Sequence, residues 1–147
     1  MSLEGDVRRM GRTRPFDLLP REALQLIAFS CARKTLKAGE TLFAEGEPAD
    51  AAYFVLSGAI DLIARGAERR VEAGALIGET ALMTDVQRRA GARAAEDAVA
   101  LRIPGDVFRR VLSEFPQAAV KVRADAVART RDFLDRLEEV RARAFES

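Results

Sequence analysis

The residues best suited to chemistry lie between Ile77 and Ala94. There Ile77-Gly78-Glu79-Thr80-Ala81-Leu82-Met83 is followed, after the polar connection Thr84 to Gln87, by Arg88-Arg89-Ala90-Gly91-Ala92-Arg93-Ala94. Gly78 lets the backbone approach a ligand closely, and the residues after it suit one helical turn whose N-terminal amides attract an anion. Arg88 carries a permanent charge on a fork that matches two phosphate oxygens. Glu79 only accepts hydrogen bonds, which suits a sugar hydroxyl and repels a phosphate. The pattern describes a site for a phosphorylated ligand, with carboxylate and guanidinium dividing the work. The alternative for two such residues close in sequence is a salt bridge with each other.

Composition removes most other chemistry. The 147 residues include no histidine, which excludes Ser-His-Asp and Cys-His arrangements and every His-containing metal site. No metal-ligand cluster or positioned base stands near the stretch, so neither catalytic nor metal-binding residues are expected and the chain reads as a non-enzyme. Cys31 is the one cysteine; it cannot form an internal disulfide and suits an inert, partly buried thiol. Hydrophobic residues make up 48% and charged residues 32%, with a formal net charge of +1, the balance of one globular domain without general attraction to nucleic acid or membrane. No apolar leader or membrane segment is visible, so the expected compartment is the cytoplasm.

The elements that must hold the stretch follow from periodicity. Residues Met1 to Arg14 are polar and arginine-rich, and read as a loosely docked lead-in. Arg21 to Ser30 places Ala23, Leu24, Ile27 and Ala28 at helical spacing. From Ala32 the period changes to short β-prone runs: Thr35-Leu36, Thr41 to Ala44, Ala52 to Leu56, Ala59 to Ala64 and Ala98 to Ile103, separated by closely spaced turns such as Ser57-Gly58 and Arg65-Gly66. Val71 and Ala75 to Ile77 lead into the polar stretch. The helical period returns with Val107, Phe108, Val111 and Leu112, breaks at Phe115-Pro116, and resumes from Gln117 to Phe145 without Gly or Pro. The fold class is mainly β with flanking helices: an antiparallel β-roll of the jelly-roll kind, an N-terminal helical segment and a long C-terminal helix.

At Ile-Gly-Glu-x-Ala-Leu followed by Arg-x-Ala, the chain resembles the cyclic nucleotide-binding domains of catabolite-activator-type regulators, kinase regulatory subunits and cyclic nucleotide-gated channels. The similarity extends from about Phe16 to Phe115 and includes Leu36-Lys37-Ala38-Gly39-Glu40 and Tyr53-Phe54-Val55-Leu56-Ser57-Gly58. It implies that Glu79 holds the ribose 2′-hydroxyl and Arg88 the cyclic phosphate. Amides near Thr80, Ala81 and Ala90 would take the remaining phosphate oxygens. Gly78 and Arg89 complete the implied set of cyclic nucleotide-binding residues, Arg89 standing where a small residue is usual. Gly91 stands where many members carry a hydroxyl associated with guanine, so cyclic AMP is expected over cyclic GMP. Val71, Leu62 and Leu76 are either base contacts or core residues.

The resemblance divides the chain into residues 1–14, a nucleotide-binding domain over 15–115, and a C-terminal helix over 116–147 that serves as lid and dimer seam. Val120, Val127, Leu134, Leu137 and Val140 support a helix-helix seam, and Phe133 or Leu134 lies near the position that reaches the base; packing back on the barrel is the alternative. Lys121, Arg123, Arg129, Arg131, Arg136, Arg141 and Arg143 interleave with Asp125, Asp132, Asp135, Glu138, Glu139 and Glu146, a solvated mixed-charge face. The sequence stops at Ser147, where a transcription factor of this type would continue into a helix-turn-helix, so no direct DNA binding is expected. The expected function is a non-catalytic cyclic nucleotide receptor that moves its helices against an unknown downstream protein. The alternative is an empty-pocket module used for dimerisation.

Overall fold

The computed structural model describes residues 3–146. Met1, Ser2 and Ser147 lie outside the described residues, as do the side chains of Arg143 and Glu146 from the mixed-charge face. The helices are α1 (Leu3–Met10), α2 (Arg21–Phe29), α3 (Thr80–Met83), α4 (Gly105–Glu114) and α5 (Pro116–Glu146). The strands are β1 (Ala32–Leu36), β2 (Thr41–Phe43), β3 (Pro48–Ala49), β4 (Ala51–Ser57), β5 (Ala59–Ala64), β6 (Ala67–Glu72), β7 (Leu76–Ile77), β8 (Val86–Gln87), β9 (Gly91–Ala94) and β10 (Ala98–Pro104). Pairing is antiparallel throughout, in two four-stranded sheets ordered β1-β10-β4-β7 and β2-β9-β5-β6, with β3-β8 as a small third pair. This is the expected β-roll with flanking helices.

Strand β4 explains how the two halves of the molecule join. Alternate side chains leave a strand on opposite faces. Tyr53 and Val55 enter the roll interior with Leu36, Phe43, Ile60 and Ile77. Ala52, Phe54 and Leu56 instead face a helical layer built from Ile27, Phe108, Leu112, Val122 and others. Both faces of β4 are buried, which is why its sequence is a continuous apolar run. In the helical layer Phe16 meets Phe108 edge-to-face, ring centroids 5.9 Å apart.

The N-terminal segment differs from the loose lead-in expected. Residues Leu3–Met10 form α1 because acidic residues open it and arginines close it, matching the helix dipole, and because Val7 and Met10 are buried. Arg33 Nη2 fastens it by donating to both Asp6 carboxylate oxygens at 3.0 and 3.1 Å, and Arg9 donates to the Leu56 carbonyl. Strand β6 also exceeds expectation: its charged residues form an edge paired with β5, where Arg70 Nε donates to Asp61 Oδ1 at 2.9 Å.

Helix α5 runs unbroken for 31 residues, about 46 Å at about 1.5 Å per residue. Ala118, Ala119 and Val122 join the helical layer. From Thr130 to Ala142 every residue is exposed, including Phe133, Leu134, Leu137 and Val140. The barrel covers only the first part of it.

Candidate functional site

Strand β7 carries Ile77 into the roll interior, and the chain turns out of it at Gly78, whose φ of +71° falls in the left-handed region. Helix α3 follows directly, with Leu82 fully buried as its anchor. The turn closes through Ala81 N–H donating to Gly78 O at 3.1 Å and Leu82 N–H to Glu79 O at 3.0 Å. Ala81's amide is therefore engaged inside the turn, leaving those of Glu79 and Thr80 at its mouth. On the facing side, the Arg88 backbone is held by the turn before β3: Arg88 N–H donates to Glu47 O and Arg88 O accepts from Gly46 N–H, both at 2.8 Å.

That backbone clamp sends the Arg88 side chain inward, where it is 7% exposed. Nη2 donates to Ala51 O at 2.7 Å, and the guanidinium carbon lies 4.1 Å from the centre of the Phe43 ring and 5.7 Å from that of Tyr53. Nε is buried without a hydrogen-bond partner. Burial lowers the Arg88 pKa from its ordinary value. Among the described residues no carboxylate forms an ion pair with it. A desolvated cation with an unused donor is chemically suited to an anion.

A cavity of about 190 Å³ opens beside this guanidinium. Phe43, Ala49, Leu62, Ile77 and Val86 supply hydrocarbon, and Gly78, Thr80, Ala81, Arg88, Arg89 and Ala90 line the rest together with Gln87. The residues singled out from the sequence thus converge on one cavity, except Glu79. Its carboxylate is exposed and forms an ion pair with Arg129 of α5. The Glu79–Arg88 salt bridge considered from sequence is not formed, because Arg88 turns in to Ala51 O and Glu79 turns to the helix.

Other expectations are redistributed. Leu62 lines the cavity, whereas Val71 packs on the roll interior and Leu76 on the helical layer. Gly91 lies in β9 outside the cavity wall, where an added Cβ would meet only Phe43 O and Glu45 N at 3.6 Å and Ile63 O at 3.8 Å. No α5 residue lines the cavity, and Phe133, the expected lid, is 60% exposed. Sequence reading missed Phe43, which stacks on Arg88 from 45 positions earlier in the chain, and Arg129, hidden among alternating charges.

The arrangement joins a buried cation to a hydrocarbon wall, which suits a compact anion bearing a flat apolar group. The model of the cyclic nucleotide-binding domain matches residues 33–115, the span that contains this entire cavity. The chain belongs to the cyclic nucleotide-binding domain family. Within that family, it is 38% identical to a cyclic nucleotide-binding-like protein from Brucella abortus, covering 74% of this chain and 98% of that one with a TM-score of 0.67. It is 38% identical over 78 residues to a cAMP-dependent protein kinase regulatory subunit from Aspergillus niger, 51% of this chain and 19% of that protein. It is also 28% identical over 125 residues to lysophospholipase nte1 of Aspergillus terreus, 81% of this chain but 8% of the enzyme. This cyclic nucleotide-binding domain therefore spans only a small part of the curated relatives it matches.

Proposed function

We propose that this domain is a non-catalytic receptor for a cyclic nucleotide, with Arg88 and the mouth of α3 taking the cyclic phosphate and Glu79 the ribose 2′-hydroxyl. The observation that carries the reading is Arg88, a cation buried against Phe43 with Nε unpartnered and, among the described residues, no carboxylate ion-paired to it. Burying such a charge costs several kcal/mol unless something compensates it, and a phosphate does so with charge-assisted hydrogen bonds. Arg89 and the backbone at Ala90 extend the anion site at the cavity's edge.

Cyclic AMP is the preferred ligand in this reading. The wall formed by Ala49, Leu62, Ile77 and Val86 offers no partner for the extra polar groups of guanine, and burying them unpaired is costly. Signalling proceeds through α5, which reaches both the Glu79 turn and solvent and presents apolar residues for a second copy or a downstream protein. The domain works in the cytoplasm and performs no chemistry of its own. Among the described residues no helix is long and apolar enough to cross a membrane.

Titration calorimetry with cyclic AMP and cyclic GMP tests the proposal, with saturable one-site binding expected for cyclic AMP. The competing reading, a dimerisation module that takes no ligand, is favoured by the engagement of Glu79 with Arg129. Absence of heat with either nucleotide, with dimers persisting, would establish that reading instead.

A further inference from the structure

Glu79 is the one residue of the proposed set that faces away from the cavity. It stands on the other side of α3, in a cleft formed with Pro15, Leu82, Val122, Asp125, Ala126 and Arg129. Arg129 Nη1 holds the Glu79 carboxylate, and its Nε lies 3.0 Å from Asp125, one turn earlier on α5, in an ion pair. Asp125 in turn accepts from Arg14 Nη1 at 2.7 Å, and Arg14 Nε lies 2.8 Å from Asp17. Five charged side chains of alternating sign thus run from the Glu79 turn across α5 to the segment before α2. Asp125 is well screened from water, its side chain only 17% exposed, so the middle of the chain is held most firmly.

We propose that Arg129 is a specificity- and coupling-determining residue for the bound nucleotide, because it competes with the ribose 2′-hydroxyl for the Glu79 carboxylate. This rests on the receptor reading above. A carboxylate turned toward the cavity to accept from a ribose hydroxyl gives up its present geometry with Arg129, whose other nitrogen stays fixed by Asp125. Occupation of the cavity therefore detaches α5 from the Glu79 turn, and α5 passes the release to Arg14 through Asp125. A ligand without a 2′-hydroxyl makes no claim on Glu79 and leaves the chain of charges intact. Arg129 thus sets a penalty that only ribose-bearing ligands meet, and converts that penalty into motion of α5.

The test is calorimetric titration of the full chain with cyclic AMP and with 2′-deoxy cyclic AMP, on the native protein and on Arg129→Gln, Arg129→Lys and Asp125→Asn. A partly exposed ion pair is worth up to about 1 kcal/mol, so Arg129→Gln is expected to tighten cyclic AMP about three- to five-fold. It should leave the 2′-deoxy ligand unchanged. Arg129→Lys should restore part of the native value, and Asp125→Asn should resemble Arg129→Gln more weakly. Hydrogen exchange supplies a readout independent of affinity: amides of α5 around Asp125 to Thr130 should exchange faster when cyclic AMP is added to the native protein, and be already fast in Arg129→Gln. Equal affinity of the native protein and Arg129→Gln for cyclic AMP, a parallel shift for both ligands, or weaker binding by Arg129→Gln would each overturn the competition. Failure of the native protein to bind either nucleotide would instead overturn the receptor reading, so the two failures are distinct.

Discussion

Gly78 and Arg88 are fitted to one another: a methyl group placed on Gly78 would overlap Arg88 Nη1. The left-handed φ at Gly78 strains any other residue, and the close guanidinium must move aside to admit a side chain even if the backbone yields. Gly78→Ala should therefore destabilise the fold by about 1–3 kcal/mol and displace Arg88. Urea denaturation measures the first and nucleotide titration the second. A variant of native stability and native affinity would show that the turn is softer than its geometry implies.

Arg88 itself is expected to matter more for binding than for folding. Arg88→Ala loses a bond to Ala51 O and the stack on Phe43, yet also removes a desolvated charge, and these effects oppose each other. Affinity for cyclic AMP should fall by about 1.5–3 kcal/mol, roughly ten- to a hundred-fold, with partial recovery in Arg88→Lys. Unchanged affinity in the alanine variant would place the anion elsewhere.

Base preference is checked by competition between the two nucleotides. Cyclic AMP should bind at least as tightly as cyclic GMP. Gly91→Thr should fold normally, since a Cβ there meets only ordinary contacts, and should change the ratio by less than about three-fold because the position stands outside the wall. A native preference for cyclic GMP would sink the assignment. A ten-fold gain in the variant would bring the base against β9.

The exposed half of α5 predicts association. Phe133, Leu134, Leu137 and Val140 remain 60%, 53%, 44% and 62% exposed on one chain, and a parallel second helix is the simplest cover. Replacing Leu134 and Leu137 by glutamate should convert dimers to monomers, because paired carboxylates in a seam cost several kcal/mol. Light scattering across concentration decides it, and a native monomer at the highest concentration would remove the seam.

Cys31 offers a test in alkali. Burial pushes its thiol up to about 12, and Sγ donates to Ile27 O at 3.3 Å. The folded state therefore keeps this proton while the unfolded chain releases it above about pH 8.5–9. The thiol's stabilisation is complete below that range and is lost as pH rises through it toward 12, at up to about 1.4 kcal/mol per pH unit. Denaturation of native and Cys31→Ala proteins between pH 8 and 10.5 should show the steeper decline in the native protein. Identical slopes would mean that the thiol is not held protonated.

Legibility from sequence followed how each residue earns its place. Strands β4 and β5 and helix α2 were readable because burial on known faces leaves apolar runs or a 3.6-residue period, as in Ala23, Leu24, Ile27 and Ala28. Strand β6, written Ala-Glu-Arg-Arg-Val-Glu, was not, since an outer edge needs charge more than hydrocarbon. Nor was α1, whose only buried residues, Val7 and Met10, are too few to mark a period among the arginines. At the candidate site the residues of the Ile77 to Ala94 stretch were found through their local order. The partners of Arg88 and Glu79 were not, because Phe43 and Arg129 come to them only through tertiary folding and carry no local mark.

A molecule with two hydrophobic layers invites melting in two steps, roll and helices separately. Here Tyr53 and Val55 belong to one layer while Phe54 and Leu56, their immediate neighbours, belong to the other. Neither layer can lose β4 without exposing the other, so thermal unfolding of the body should be one cooperative event with calorimetric and van't Hoff enthalpies in agreement. The same strand carries Ala51, whose carbonyl receives Arg88. The proposed anion site is thus mounted on the least separable part of the protein, and a bound phosphate should raise the melting temperature of the whole body at once.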